Sequence, residues 1–319
     1  MVENKRTMKH ILVTVLLVSL LLPACSRRTH ASTSETWSLS LSKQGRMPGV
    51  ATSYSWKDQA LLSCRLEIRA DSKQVEVPRD VTMVLSLNLV DDNPSRSILT
   101  LQVEDLITAQ GNRPELWTKP IAFQWVVTKR GRTLSFHQDS DGVPVVLSGL
   151  PDLQLLFSRM VPTFPAKKIG IGAVWSRRSA WDLTIPGPTG TGTVEAKDDI
   201  TYEMANADSG ETLVQAKGTT RYQGTMHPVG HMLVIKGQGT FAASARIRNR
   251  VFKEATMKAD EHISLTTDGH ERTVRTQYEA RLRCTKPGTA TSLDRPPKGQ
   301  LSQRVVTPKA MAGRHHRSP

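Results

Sequence analysis

Between Ala60 and Cys284, apolar and polar residues alternate with a period of two along most of the chain. In one such run Val81, Met83, Leu85 and Leu87 fall on a single face, as a strand half-buried against a core requires. Alternating or apolar runs near residues 61–70, 80–90, 97–107, 121–129 and 132–138 predict a first set of strands. Runs near 173–183, 192–205, 211–222, 231–247, 250–266 and 271–284 predict a second. Turn-forming residues punctuate them, namely Asp91 to Pro94, Lys129 to Arg132, Asp208 to Gly210, and Asp268 with Gly269. Residues 149–162 break the period, because Leu153, Leu156, Phe157 and Met160 recur at helical spacing. Pro151 suits a first helical turn and Pro162 ends the segment. The pattern predicts a mainly β fold. It is a large curved antiparallel sheet, an open or closed barrel, of about 11 strands with one short central helix, because so long a sheet must curl or close to bury its apolar face.

Outside this body the pattern fades. Residues 25–58 are rich in Ser, Thr, Arg and Gly and read as a tether, in which Trp37, Leu39 and Leu41 predict at most one edge strand. Residues 285–319 carry Pro287, Pro296, Pro297 and Pro308 among scattered charges without periodicity, and read as a disordered basic tail. Residues 59–284 are then a single β-rich domain. With 319 residues, 38% of them hydrophobic, the chain has ample material for that core.

The formal charge of +14 raises the question of nucleic acid. More than half of the excess lies outside residues 25–284. Lys5, Arg6 and Lys9 precede the body, and Lys286, Arg295, Lys298, Arg304, Lys309, Arg314 and Arg317 follow it. The body's own modest excess is that of a solvated surface, and no helix-turn-helix, zinc-finger or ribonucleoprotein motif accompanies it, so no nucleic-acid partner is expected. The tail is either a solubilising segment or a contact for lipid phosphates and anionic polymers.

The first 24 residues place Lys5, Arg6 and Lys9 before an apolar run from Ile11 to Leu22, the order of a secretory signal. The run is short for a membrane span and stops at Leu22, Pro23, Ala24 and Cys25. Here the sequence resembles a bacterial lipoprotein precursor. Leu22 and Ala24 match that family's residues before the lipidated cysteine, and Pro23 departs from them. The resemblance implies diacylglycerol on the Cys25 thiol, cleavage before Cys25, and stable membrane anchoring through the N-terminal lipid. Ser26 after the cysteine implies outer-membrane sorting, facing the periplasm. The alternative is an ordinary secretory signal cleaved after Ala31.

Two cysteines remain. Cys64 shares a strand face with Leu62, Leu66 and Ile68, and Cys284 shares one with Tyr278, Ala280 and Leu282, so both face the core. They are candidates for a disulfide in an oxidising compartment, the other outcome being two buried free thiols.

Residues Phe164, Pro165, Gly170, Gly172 and Trp175, followed by Gly237, Gly239 and Phe241 and a closing hairpin to Cys284, resemble a family of exported bacterial proteins of unknown function. The likeness implies a curved β half-barrel with a helical lid, as in lipoprotein carriers. Leu153, Leu156, Phe157 and Met160 would then line a ligand site.

Candidate chemistry is thin. His227 and His231 are four apart, but Pro228 and Gly230 forbid the helix that would align them, and His315–His316 lies in the tail, so no metal or other cofactor is expected. Ser40 and Lys43 match a Ser-x-x-Lys spacing without its companion elements. The glycines from Gly187 to Gly192 precede a strand rather than a phosphate-binding helix. Asp91–Asp92 and Asp198–Asp199 read as turn residues. The sequence thus predicts no enzyme. It predicts an envelope protein that binds an apolar or amphiphilic ligand on a concave β surface, or alternatively an assembly component that binds an envelope protein.

Overall fold

A computed structural model describes residues 37–50, 52–72, 80–108, 121–138, 152–187, 190–208, 211–226 and 232–286. The strands are β1 (Ser38–Lys43), β2 (Arg46–Val50), β3 (Ser63–Ser72), β4 (Asp80–Asp92), β5 (Ser97–Thr108), β6 (Ile121–Val127) and β7 (Thr133–Gln138). They continue with β8 (Ile169–Ile171), β9 (Val174–Gly187), β10 (Gly190–Asp208), β11 (Glu211–Met226), β12 (Leu233–Arg248), β13 (Val251–Thr267) and β14 (His270–Thr285). Two helices interrupt them, α1 (Trp56–Gln59) and α2 (Leu153–Met160).

Twelve strands form one antiparallel sheet in the order β1-β9-β10-β11-β12-β13-β14-β3-β4-β5-β6-β7, and β2 pairs with β8 in a separate ribbon. The sheet is two meanders, β3 to β7 and β9 to β14, joined where β14 pairs with β3. Cys64 and Cys284 lie directly opposite each other on that seam and form a disulfide across 220 positions of sequence. The hairpins follow their turn chemistry. Asp268 and Gly269 both adopt positive φ, as do Asn249 and Arg250 between β12 and β13, the backbone twist that two-residue hairpins favour.

The sheet is open, with β1 and β7 as its edges, and it is strongly wrapped. Nine strand intervals separate β10 from β7, roughly 43 Å along a flat sheet at the usual spacing. Helix α2, about 12 Å long, nonetheless touches both: Phe157 lies 6.0 Å from Phe136 of β7, and Arg159 bonds to Asp198 of β10. A flat sheet cannot satisfy both contacts, so it curls around the helix. Aromatic rings complete the bridge from β9 to β6. Trp175 contacts Phe164 at 5.8 Å, Phe164 contacts Tyr54 at 5.6 Å, Tyr54 stacks on Trp56 at 4.8 Å, and Trp56 meets Trp125 edge-on at 5.1 Å.

This end of the wrapped sheet is also stitched by hydrogen bonds from connecting segments. Tyr54 N–H donates to Lys129 O, Phe164 N–H to Arg130 O, Ser55 N–H to Arg250 O, and the Trp56 indole to Thr128 O. Gln59 Oε1 accepts from Phe252 N–H, where the β12–β13 register shifts and the ladder leaves a donor free.

Three expectations change. Residues 37–50 and 52–58, read as tether with at most one edge strand, are part of the folded body: that edge strand is β1, paired with β9, and beyond it Tyr54 and Trp56 are each 1% exposed. Two isolated aromatics produce no periodicity, yet they fill the gap between the sheet's ends. The helix begins at Leu153 rather than near 149, because the Asp152 carboxylate caps it by accepting from Leu155 N–H. Asp198 and Asp199 are not turn residues; they lie within β10, with Asp198 inward and buried. The signal, Cys25 and the tail beyond Lys286 lie outside the described residues, and among those described no helix is long and apolar enough to cross a membrane.

Candidate functional site

The inward residues of β10 read Val194, Ala196, Asp198, Ile200, Tyr202 and Met204, an apolar face with one carboxylate in it. Strand β13 repeats the device with Ala255, Met257, Ala259, Glu261, Ile263 and Leu265. Register places the two carboxylates in one row. Ser179 of β9 lies opposite Asp198, Asp198 opposite Thr220 of β11, Thr220 opposite Gly239 of β12, Gly239 opposite Glu261, and Glu261 opposite Thr276 of β14. A polar belt thus crosses six consecutive strands on the inner face.

Helix α2 completes the belt with Arg159, 1% exposed, which sits one turn beyond Leu155 and Leu156 on the inward side of the helix. Its Nη2 donates to Asp198 Oδ1 at 3.2 Å, Thr220 Oγ1 at 2.7 Å and the Tyr222 hydroxyl at 3.1 Å. Its Nη1 donates to Glu261 Oε1 at 3.0 Å and the Tyr278 hydroxyl at 2.8 Å. The partners bond to each other as well: Thr220 donates to Asp198 at 2.6 Å, and Tyr222 and Tyr278 donate to Glu261 at 2.7 and 3.1 Å. Burial disfavours the Arg159 charge, but Asp198 and the other acceptors outweigh it and hold the guanidinium protonated well beyond its ordinary range. Burial also pushes the Tyr222 and Tyr278 hydroxyls far above the usual phenol value, against the pull of Arg159. The guanidinium lies 5.0 Å from the Phe241 ring, and that ring lies over Gly218, where a Cβ would stand 2.3 Å from it.

The belt divides the interior. On the disulfide side lies the larger apolar cluster, with Leu66, Met83, Leu99, Trp125, Trp175 and Tyr202 among its members. On the far side Trp181, Val194, Ala196, Tyr222, Leu233 and Ile235 form a smaller cluster, which the partly buried Leu183, Ile263 and Leu265 extend. Leu155 is the helix's one residue in it. The far wall is therefore apolar and incompletely covered.

Leu156, Phe157 and Met160 belong to the larger cluster, and Leu153 packs against it. The helix lies inside the sheet rather than across its mouth, so the face expected to line a ligand is packed on protein. Leu155, Arg159 and the belt were missed. The signal was present, since a lone charge on the apolar face of α2 and lone carboxylates on the apolar faces of β10 and β13 demand one another.

The remaining motifs do not converge. Ser40 lies in edge strand β1, bonded to Ser176 at 2.7 Å, and Asp92 closes β4 beside Lys129 and Ser97. His227, His231, His315 and His316 lie outside the described residues. Among the described residues no group of three or more His, Cys, Asp or Glu could hold a metal ion.

Fold and interior define a mainly β protein, an open twelve-stranded antiparallel sheet wrapped around an ion-paired helix. No family model matches the chain, and no curated protein does. Among solved structures, one titled "Asymmetric conductivity of engineered proteins" aligns with 70% of this chain and 98% of its own, at 8% identity and a TM-score of 0.19. So low a score says nothing about function.

Proposed function

We propose that this protein binds an apolar or amphiphilic ligand at the far end of its wrapped sheet, and that it does so from a bacterial envelope membrane to which a lipid on Cys25 anchors it. The observation that carries the binding reading is the far apolar wall. Trp181 and Ile235 are buried beyond the belt, while Leu183, Ile263 and Leu265 stay partly open and only Leu155 reaches them from the helix. A wall of apolar side chains bordered by a few fixed polar groups is the usual make-up of a small-molecule site. The disulfide agrees with an oxidising destination.

The test is saturable binding of an uncharged naphthylamine dye to the full chain. The expected result is one site per chain, lost in Leu265→Lys and kept in Leu61→Lys, an exposed position elsewhere. Absence of saturable binding would overturn the reading. Intact mass spectrometry of the exported protein tests the anchor, with acylated Cys25 expected and cleavage after Ala31 contradicting it.

A second reading, an assembly component docking on another envelope protein, draws on the edges of the sheet. Among the described strands β1 and β7 each pair on one side only, which leaves backbone groups available for strand addition.

A further inference from the structure

Beside the belt, on the same inner face, lies a second buried polar group that Arg159 does not satisfy. Arg177, Ser179 and Trp181 occupy successive inward positions of β9, and Tyr202 comes from the neighbouring β10, opposite Trp175. All four are buried, with Arg177 2% and Tyr202 0% exposed. Arg177 Nη1 donates to Ser158 O at 2.9 Å, which ties the strand to the last turn of α2. Among the described residues, Arg177 Nε and Nη2, Ser179 Oγ and Trp181 Nε1 find no hydrogen-bond partner, and the Tyr202 hydroxyl is held by Thr163. The nearest carboxylate oxygen, Asp198 Oδ2, is 4.0 Å from Arg177 Nη2, beyond a hydrogen bond, and Asp198 is already bonded to Arg159 and Thr220.

Each of those four unpartnered atoms can donate a hydrogen bond, and the arginine and indole nitrogens can do nothing else. What the corner lacks is an acceptor, and for a buried guanidinium without a bonded counter-ion the acceptor that compensates it best is an anion. A carboxylate matches the planar fork of Arg177 and leaves Ser179 to bond a remaining lone pair. From this corner β9 continues through Trp181 to Leu183, along the far apolar wall.

We propose that Arg177, with Ser179, seats the carboxylate of a single-chain amphiphile whose hydrocarbon tail runs over Trp181 toward Leu183, Ile263 and Leu265. This inference rests on the binding reading above and adds the head group to it. The experiment is calorimetric titration of the full chain with decanoate and, separately, with decan-1-ol, which share a tail and differ in the head. One charge-assisted pair predicts that decanoate binds about tenfold tighter. Arg177→Met is expected to remove that preference, while Arg177→Lys keeps part of it. Equal affinity of the two probes for the unaltered chain overturns the carboxylate seat and leaves the apolar site standing. Survival of the preference in Arg177→Met overturns the seat as well. Should that variant not fold, the comparison on the unaltered chain decides by itself. Binding of neither probe overturns both this inference and the reading beneath it.

Discussion

The two ends of the interior are built differently. At the disulfide end, rings from four segments stack into a continuous ladder, the Cys64–Cys284 bond locks the seam between meanders, and loop backbones hydrogen-bond across one another. At the far end a few side chains line the wall, three of them partly open, and the Trp181 indole N–H lacks a partner among the described residues. One end is assembled for stability. The other leaves apolar surface partly open and a buried indole N–H unpaired, a cost that a purely structural core has no reason to carry.

The largest effect should come from the belt that separates them. Arg159→Met leaves Asp198 and Glu261 without their cation in a region where Asp198 is fully buried. A loss of about 3–5 kcal/mol in urea unfolding is expected, with much of it recovered by adding Asp198→Leu. Reduction of the disulfide, or Cys64→Ser with Cys284→Ser, should cost about 2–5 kcal/mol and lower the unfolding midpoint without altering ligand binding at the other end. A matched pair of truncations then contrasts the ends. Leu66→Ala, at a position 0% exposed, should cost about 3 kcal/mol, and Leu265→Ala, on the partly open wall, about 1 kcal/mol or less. Equal costs would erase the distinction.

The tyrosines report on the whole interior. The chain has four, Tyr54, Tyr202, Tyr222 and Tyr278, and all are buried. Burial raises each hydroxyl above the ordinary value of 10.0. A raised folded-state pKa contributes stability that is complete below the unfolded value and lost as pH climbs past it, so stability should decline above about pH 10. Absorbance of tyrosinate should therefore appear in one cooperative step with unfolding. Stepwise titration before unfolding would show that some of these hydroxyls reach solvent.

Much of the fold was legible because strand alternation is a local property. The strands expected near 80–90, 97–107 and 271–284 appear as Asp80–Asp92, Ser97–Thr108 and His270–Thr285. The core direction of Cys64 and Cys284 was legible for the same reason. The pairing of β14 with β3 was not, since strand order depends on contacts far apart in sequence, and Tyr54 and Trp56 were missed because they act singly. The belt was missed for another reason. Asp198 sits beside Asp199, and a pair of acids looks like a turn until the alternation on either side, from Val194 to Met204, is followed through it. Sequence reasoning chose the apolar residues of α2 as the site. The buried polar groups lie with Arg159 on that helix and with β9 opposite.

That the far end binds and the disulfide end holds is tested most directly by hydrogen exchange with and without decanoate. Slow exchange is expected in residues 64–68 and 280–284 under both conditions. Faster exchange is expected in residues 181–183, 233–235 and 263–265, slowed several-fold or more by the ligand through the usual linkage. Uniform protection along β9 to β14 that the ligand leaves unchanged would contradict this division of labour.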